Sequence, residues 1–155
     1  MRQEIGLIAD THGLLRPEAV AALRGVDRIL HAGDVGRISV LEELEKLAPV
    51  TAVRGNVDNG GWAERLPMTA EIELGPVWIY MIHIVDDLDL DLVAAGFSVL
   101  VYGHSHRAVI ERRGGLLRVN PGSAGPRRFD LPVTVARLTI DSRGPAAQRI
   151  DLPLC

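Results

Sequence analysis

Cysteine is almost missing from this chain: Cys155, the last residue, is the only one. That excludes an internal disulfide and suits a reducing compartment, so a cytoplasmic location is expected. Long apolar runs are missing too, and none approaches the ~20 residues of a membrane-spanning helix. Glu4, Asp10 and His12 interrupt the short apolar stretch after Arg2, which departs from the pattern of a signal peptide. Basic blocks are lacking: net charge is −3 and Lys46 is the sole lysine, so binding to duplex nucleic acid is not expected. Aromatic residues make up only 4%. Trp62 and Trp78 read as packing residues, although Trp62, beside Gly60-Gly61, is also placed to stand at a pocket mouth.

What is present is a core. The apolar fraction of 47% over 155 residues is that of a globular protein, and the length predicts a single domain spanning residues 1–155. Residues 4–9 (EIGLIA) read as a strand buried on both faces. Arg16-Pro17-Glu18 opens a helix striped by Val20, Leu23 and Val26. A second strand covers residues 28–32, a helix residues 39–47, and a third strand residues 50–53. This alternation predicts right-handed crossovers and a parallel sheet. After Pro67 the pattern changes. Residues 69–74 and 77–82 form a hairpin around Gly75-Pro76, residues 88–95 a short helix, and residues 97–102 a strand. Residues 108–112 and 116–119 form a second hairpin around Gly114-Gly115, whose edge could pair between subunits of a homo-oligomer. Residues 133–140 and 148–152 are the last strands. The fold class expected is α/β: two stacked sheets with helices outside.

The chemistry collects just past the apolar runs. Asp10, His12, Asp34, Asn56, His83, His104 and His106 all stand there, and they include four of the five histidines. In an open α/β sheet, ligands bind outside the carboxyl ends of the strands. Mixed carboxylate, amide and imidazole donors suit Mn²⁺, Fe or Zn²⁺ and are too rich in nitrogen for Ca²⁺. Seven donors exceed the needs of one ion. Two ions ~3.5–4 Å apart, bridged by a carboxylate and a hydroxide, would use them all.

In order along the chain stand Asp10-x-His12, Gly33-Asp34, Gly55-Asn56, His83 and Gly103-His104-x-His106. Together they resemble the calcineurin-like metallophosphoesterases over roughly the whole chain. The short length, Gly55-Asn56-x-Asp58 and Asn120-Pro121-Gly122-Ser123 are most similar to the small YfcE-type phosphodiesterases. The resemblance implies a four-layer sandwich, two mixed β-sheets flanked by α-helices. It implies a metal-dependent phosphodiesterase acting on small phosphodiesters with a metal-bridging hydroxide as nucleophile. One ion would be held by Asp10, His12, Asp34 and His106, and the other by Asp34, Asn56, His83 and His104, with Asp34 shared. Mn²⁺ is the leading expectation, with Fe, Zn²⁺, Ni²⁺ and Mg²⁺ as alternatives. The resemblance also implies a catalytic set of Asn56, Asp58 and His104, with Asp58 acting as a partner that orients a ligand.

Two departures from the family pattern matter. Many relatives carry a histidine after Gly-Asn that assists the leaving group. Val57 stands there, which favours diesters with good leaving groups over alkyl monoesters. The family's His-Gly-His is here His83-Ile84-Val85, and an isoleucine where φ must be positive would be strained, which puts the His83 loop in question. A catalytically weak or inactive protein-binding scaffold of the same fold, like a eukaryotic retromer subunit, is the alternative.

The remaining polar residues have plainer readings. His31, inside a strand, reads as structural, and Asn120-Pro121-Gly122-Ser123 as a turn. Asp86, Asp87, Asp89 and Asp91 form a solvated helix start, since the glycine and glutamate of a calcium loop are missing. Arg127 and Arg128 read as surface residues, with contact to a phosphate as the alternative, while Gly13 and Gly36 allow sharp turns or close backbone approach.

Overall fold

The computed structural model describes residues 2–154, so Cys155 lies outside the described residues. Two mixed five-stranded sheets form the frame. The first contains β1 (Gln3–Ile8), β2 (Arg28–His31), β3 (Val50–Ala52), β9 (Thr134–Asp141) and β10 (Gly144–Asp151). Its strand order is β10-β9-β1-β2-β3, with β1, β2 and β3 parallel and β9 and β10 antiparallel. The second contains β4 (Thr69–Leu74), β5 (Val77–Ile82), β6 (Val99–Val101), β7 (Val109–Arg113) and β8 (Leu116–Asn120), in the order β4-β5-β6-β8-β7. Here β5, β6 and β8 run parallel, and β4 and β7 close the edges as antiparallel hairpin partners.

The period of two along each strand decides which side chain faces which layer. In β1, Ile5 and Leu7 point between the sheets, where they meet Leu30, Ile79, Met81, Val99, Val101 and Val119. Ile8 points the other way, onto Leu23, Val40, Leu41 and Leu44 from the region of the helices α1 (Pro17–Ala22) and α2 (Ile38–Glu45). Each fully buried aliphatic side chain contributes about 1.5–3 kcal/mol. Gly6, also on the helix side, admits α1 closely: a Cβ there would stand 2.9 Å from Leu23 Cδ2.

The outer face of the second sheet is covered differently. The helix expected over residues 88–95 does not form. A 3-10 turn at Val85–Asp87 is followed by a single turn in which Ala95 N–H reaches Asp91 O and Ala94 N–H donates to the Asp91 carboxylate. Of the apolar residues there only Leu92 is buried, while Leu90 and Val93 stay exposed, and Gly96 at φ 95° ends the turn. One buried anchor does not sustain a helix in water. This strap, with Phe97 and Tyr102, still covers Leu100 and Ile82.

Other departures are small. The last strand begins at Gly144 rather than residue 148, because Ser142-Arg143 makes a two-residue turn and Arg143 N–H binds the Asp141 carboxylate. A short helix α3 (Gly61–Glu64) was not expected; Trp62 in it packs against the helix-side core, which is its packing role. Trp78 packs edge-on to Phe97 at 6.2 Å.

Candidate metal centre

The carboxyl ends of β1, β2 and β3 in one sheet meet those of β5 and β6 in the other. Backbone bonds extend the β1–β2 pairing beyond the strands: Asp10, His12 and Gly13 N–H donate to Gly33, Asp34 and Val35 O at 3.0, 2.9 and 2.8 Å. The Asp58 carboxylate, buried, accepts N–H bonds from Gly55 and Gly36 at 2.9 Å and from Val35 at 3.2 Å, which ties the β3 loop to the β2 loop. Its contacts are with backbone, so it orients the loops that carry Asp34 and Asn56. Across the sheets, Gly103 N–H donates to His83 O at 3.0 Å and His104 N–H to Asp10 Oδ2 at 3.1 Å.

All seven expected donors converge in this rim, in two groups. Asp10, His12 and His106 form one, and Asp34, His83 and His104 the other, with the donor atoms of each group within 4.8 Å of one another. His12 Nε2 and His106 Nε2 face each other at 3.3 Å, and Asp10 Oδ1 is 3.7 Å from His106 Nε2. In the second group Asn56 Oδ1 stands 3.0 Å from His83 Nε2 and 3.1 Å from His104 Nδ1. Asp34 Oδ2 reaches both groups, at 3.1 Å from His83 Nε2 and 3.8 Å from His12 Nε2. Its other oxygen, Oδ1, accepts the Val57 N–H at 3.0 Å.

The backbone is strained where the donors sit. Six non-glycine residues among those described have positive φ, and five are Asp10 (54°), His12 (48°), Asp34 (55°), His104 (76°) and His106 (65°). Such conformations cost about 1–3 kcal/mol each and cluster at functional sites. Cβ atoms at two glycines would also fill the site. One at Gly33 would stand 2.7 Å from the His83 ring, and one at Gly55 would collide with Asp34 N and Oδ1. Gly36 lets two loops touch backbone to backbone, since a Cβ there would collide with Gly13 N and His12 C, whereas a Cβ at Gly13 would meet the Arg37 side chain.

His83 keeps its place despite Ile84. The residue after it has φ −108° and ψ 110°, ordinary extended backbone, so the strain expected of an isoleucine does not arise. His83 Nδ1 donates to Ala32 O at 2.7 Å, which leaves Nε2 as the donor atom aimed at Asp34 and Asn56. His31 is structural. Gly33 N–H donates to its Nδ1, so its Nε2–H donates to Thr11 Oγ1, which passes a bond to Val35 O.

Burial and charge divide the groups. Burial pushes the Asp10 carboxyl up to about 7 and holds the His106 imidazole down at about 4, with the Arg128 charge adding to the latter. Burial also lowers His12, outweighing Asp34. Burial would raise Asp34, but bonds from His83 and the Val57 N–H hold it below the usual carboxylate range. His83 is raised in return: burial opposes this and the Asp34 bond and charge prevail.

The donor set fits divalent cations. Among the described residues Asp10 Oδ1 is buried without a hydrogen-bond partner, beside imidazoles whose proton affinity burial lowers. A buried carboxylate oxygen facing lone pairs lacks only a cation between them.

Two residues support the donors from outside the set. Asn120, fully buried, donates through Nδ2 to Gly103 O and Ser105 Oγ, both at 3.1 Å, and so fixes the Gly103–His106 turn. Its place immediately after an apolar strand was the available signal. Arg128 is exposed, yet its charge acts on Asp10, His12 and His106, so it is more than a remote surface residue.

Comparison with known proteins follows the same outline. The family model described as the calcineurin-like phosphoesterase superfamily domain matches residues 3–143. A probable metallophosphoesterase of Methanothermobacter thermautotrophicus is 36% identical, the match covering 97% of this chain and 95% of the relative. A solved structure described as a novel archaeal phosphodiesterase superposes with a TM-score of 0.79 at 24% identity, covering 96% and 99% of the two chains. Vacuolar protein sorting 29 from Cryptosporidium parvum superposes at 0.77 with 18% identity, covering 97% and 98%.

Proposed function

The chain belongs to the calcineurin-like phosphoesterase superfamily, and from that premise we propose that it is a two-metal phosphodiesterase acting on small phosphodiesters with good leaving groups. The observation that carries this reading is the convergence of seven donors, five of them on strained backbone, around a buried carboxylate oxygen without a partner. Asp10, His12, Asp34 and His106 would hold one divalent ion. Asp34, Asn56, His83 and His104 would hold the other, with Asp34 common to both. When bound, the ions supply Lewis acidity and a water acidified enough to serve as nucleophile at neutral pH.

The chain's own residues orient and restrict. Ala32 O fixes the His83 tautomer, and the Val57 N–H and the Asp58 clamp hold Asp34 in register. Asn56 and His104, both exposed, form the solvent side of the site where a phosphoryl oxygen can approach. Arg128 adds positive charge for an anionic substrate. At position 57 an exposed valine replaces the general acid that an imidazole would supply. The leaving group must therefore depart as a stable anion, which favours aryl diesters over alkyl monoesters.

The test is hydrolysis of bis-p-nitrophenyl phosphate with Mn²⁺ by wild type, Asp34→Asn and His104→Ala. Metal-dependent turnover, lost by at least about 100-fold in both variants, is expected. Turnover indifferent to metal and to both substitutions would return the chain to the protein-binding reading that the vacuolar sorting neighbour keeps open. Equal rates on p-nitrophenyl phosphate and its diester would refute the argument from Val57.

A further inference from the structure

A second feature adjoins the donors without being used by them. A pocket of about 300 Å³ shares Asn56 and His83 with the second donor group and extends away from it. That volume is at the small end of organic-ligand sites. Its walls are mainly aliphatic, from Met68, Ile82 and Ile84, with Arg54 and Asp87 as its charged groups. Met68 is 60% exposed, a large apolar surface left to water beside a polar centre. Ile84 contributes a side chain to the wall, and its extended backbone, φ −108° and ψ 110°, presents that side chain without strain. Arg54 donates through Nε to Asp58 O at 3.1 Å, which fixes the direction of its guanidinium.

Apart from His83 at the donor end, the charged groups are one guanidinium and one carboxylate, which offset each other and give no second phosphate site. Apolar walls favour an uncharged group of limited size, and the fixed arginine favours one with an acceptor on its edge. Because Asn56 and His83 line both spaces, a phosphorus at the donors and a group in the pocket fit a single molecule.

We propose that this pocket receives an apolar, aryl-sized ester group of the phosphodiester substrate, held between Met68, Ile82 and Ile84 with its acceptor edge toward Arg54. The proposal rests on the phosphodiesterase reading and adds the substrate class. Ile84 then acts as a specificity-determining residue.

The experiment compares binding of phenylphosphonate and methylphosphonate to the Mn²⁺-loaded protein by titration calorimetry, in wild type, Ile84→Gly, Met68→Ser and the distant β7 variant Ile110→Ser. Wild type should favour the phenyl compound by at least about tenfold, the scale expected for burying one aromatic ring. Ile84→Gly and Met68→Ser should each cut that preference to about threefold or less, and Ile110→Ser should keep it. No preference in wild type, or a preference that survives both pocket substitutions, overturns the proposal while leaving the enzyme reading intact. A preserved preference with no hydrolysis of bis-p-nitrophenyl phosphate overturns the phosphodiesterase reading, and the substrate role of the pocket with it.

Discussion

The two donor groups lie side by side and are built on opposite principles. In the first, Asp10 and His106 are buried, and Asp10 Oδ1 and His106 Nδ1 have no hydrogen-bond partner among the described residues. In the second, Asp34 and His83 already form a close pair at 3.1 Å, and Asn56 and His104 stand open to solvent. On the proposed reading, a cation would complete the first group. The second has internal partners that keep it ordered, and a cation there would displace the proton between Asp34 and His83. The contrast follows from position: the first group lies at the end of the central strand β1, under the Gly103–His106 turn, and the second at the open flank near β3 and β5.

The largest expected effects come from removing one donor per group. His106→Ala and His83→Ala should each lower bound Mn²⁺ from two ions to one, with the affected site weakened by at least about 100-fold. Mass spectrometry of the native protein reads this directly, and loss of both ions from either variant would mean that the groups act as one unit.

Next in size is Gly55→Ala. The added methyl would collide with the Asp34 backbone, so a loss of about 2–4 kcal/mol of stability is expected, measured by urea unfolding. An unchanged midpoint would show that the β3 loop can move away from Asp34, which the Asp58 clamp argues against.

A smaller effect concerns pH. Asp10 titrates near 7 without a cation and His83 above its ordinary value, so both groups release a proton on metal uptake. Affinity for Mn²⁺ should therefore rise with pH by up to about tenfold per unit for each proton released, levelling off once both groups have lost their protons. Proton release measured in two buffers of different ionisation enthalpy checks this, and uptake without proton release would contradict it.

A separate effect is on metal-free stability. His31 is neutral when folded, with its imidazole held at about 3 by burial. An unfolded chain takes up its proton near the ordinary value of about 6.5. The stabilisation is thus full above about pH 6.5 and is lost as pH falls, by roughly 1.4 kcal/mol per unit, toward pH 3. His31→Gln should flatten that slope in thermal melts between about pH 6 and 4. An identical slope would mean that His31 opens to solvent before the rest of the fold.

Much of this site was legible in the sequence because each donor follows an apolar strand. Strand periodicity therefore located the rim, and short motifs supplied the chemistry. The fold class was legible for the same reason. What was hidden depends on backbone conformation and distant contacts. Five donors with positive φ leave no compositional trace, since aspartate and histidine are ordinary loop residues. The doubt over His83 assumed that position 84 needs a glycine's backbone. The chain instead leaves β5 extended and only then turns at Val85–Asp87. The helix expected over residues 88–95 failed because its apolar spacing did not reveal that only Leu92 finds a core. Asn120 reads as a turn residue until its amide is seen to hold the carbonyl of Gly103, 17 positions away.

The count of divalent ions per chain tests the account most directly. Metal-free protein is equilibrated with Mn²⁺ and its native mass measured alongside Asp34→Ala. Two ions on wild type, and neither held firmly once the shared carboxylate is gone, is the predicted result. One ion on wild type, or two retained by Asp34→Ala, would contradict a two-ion centre joined through Asp34.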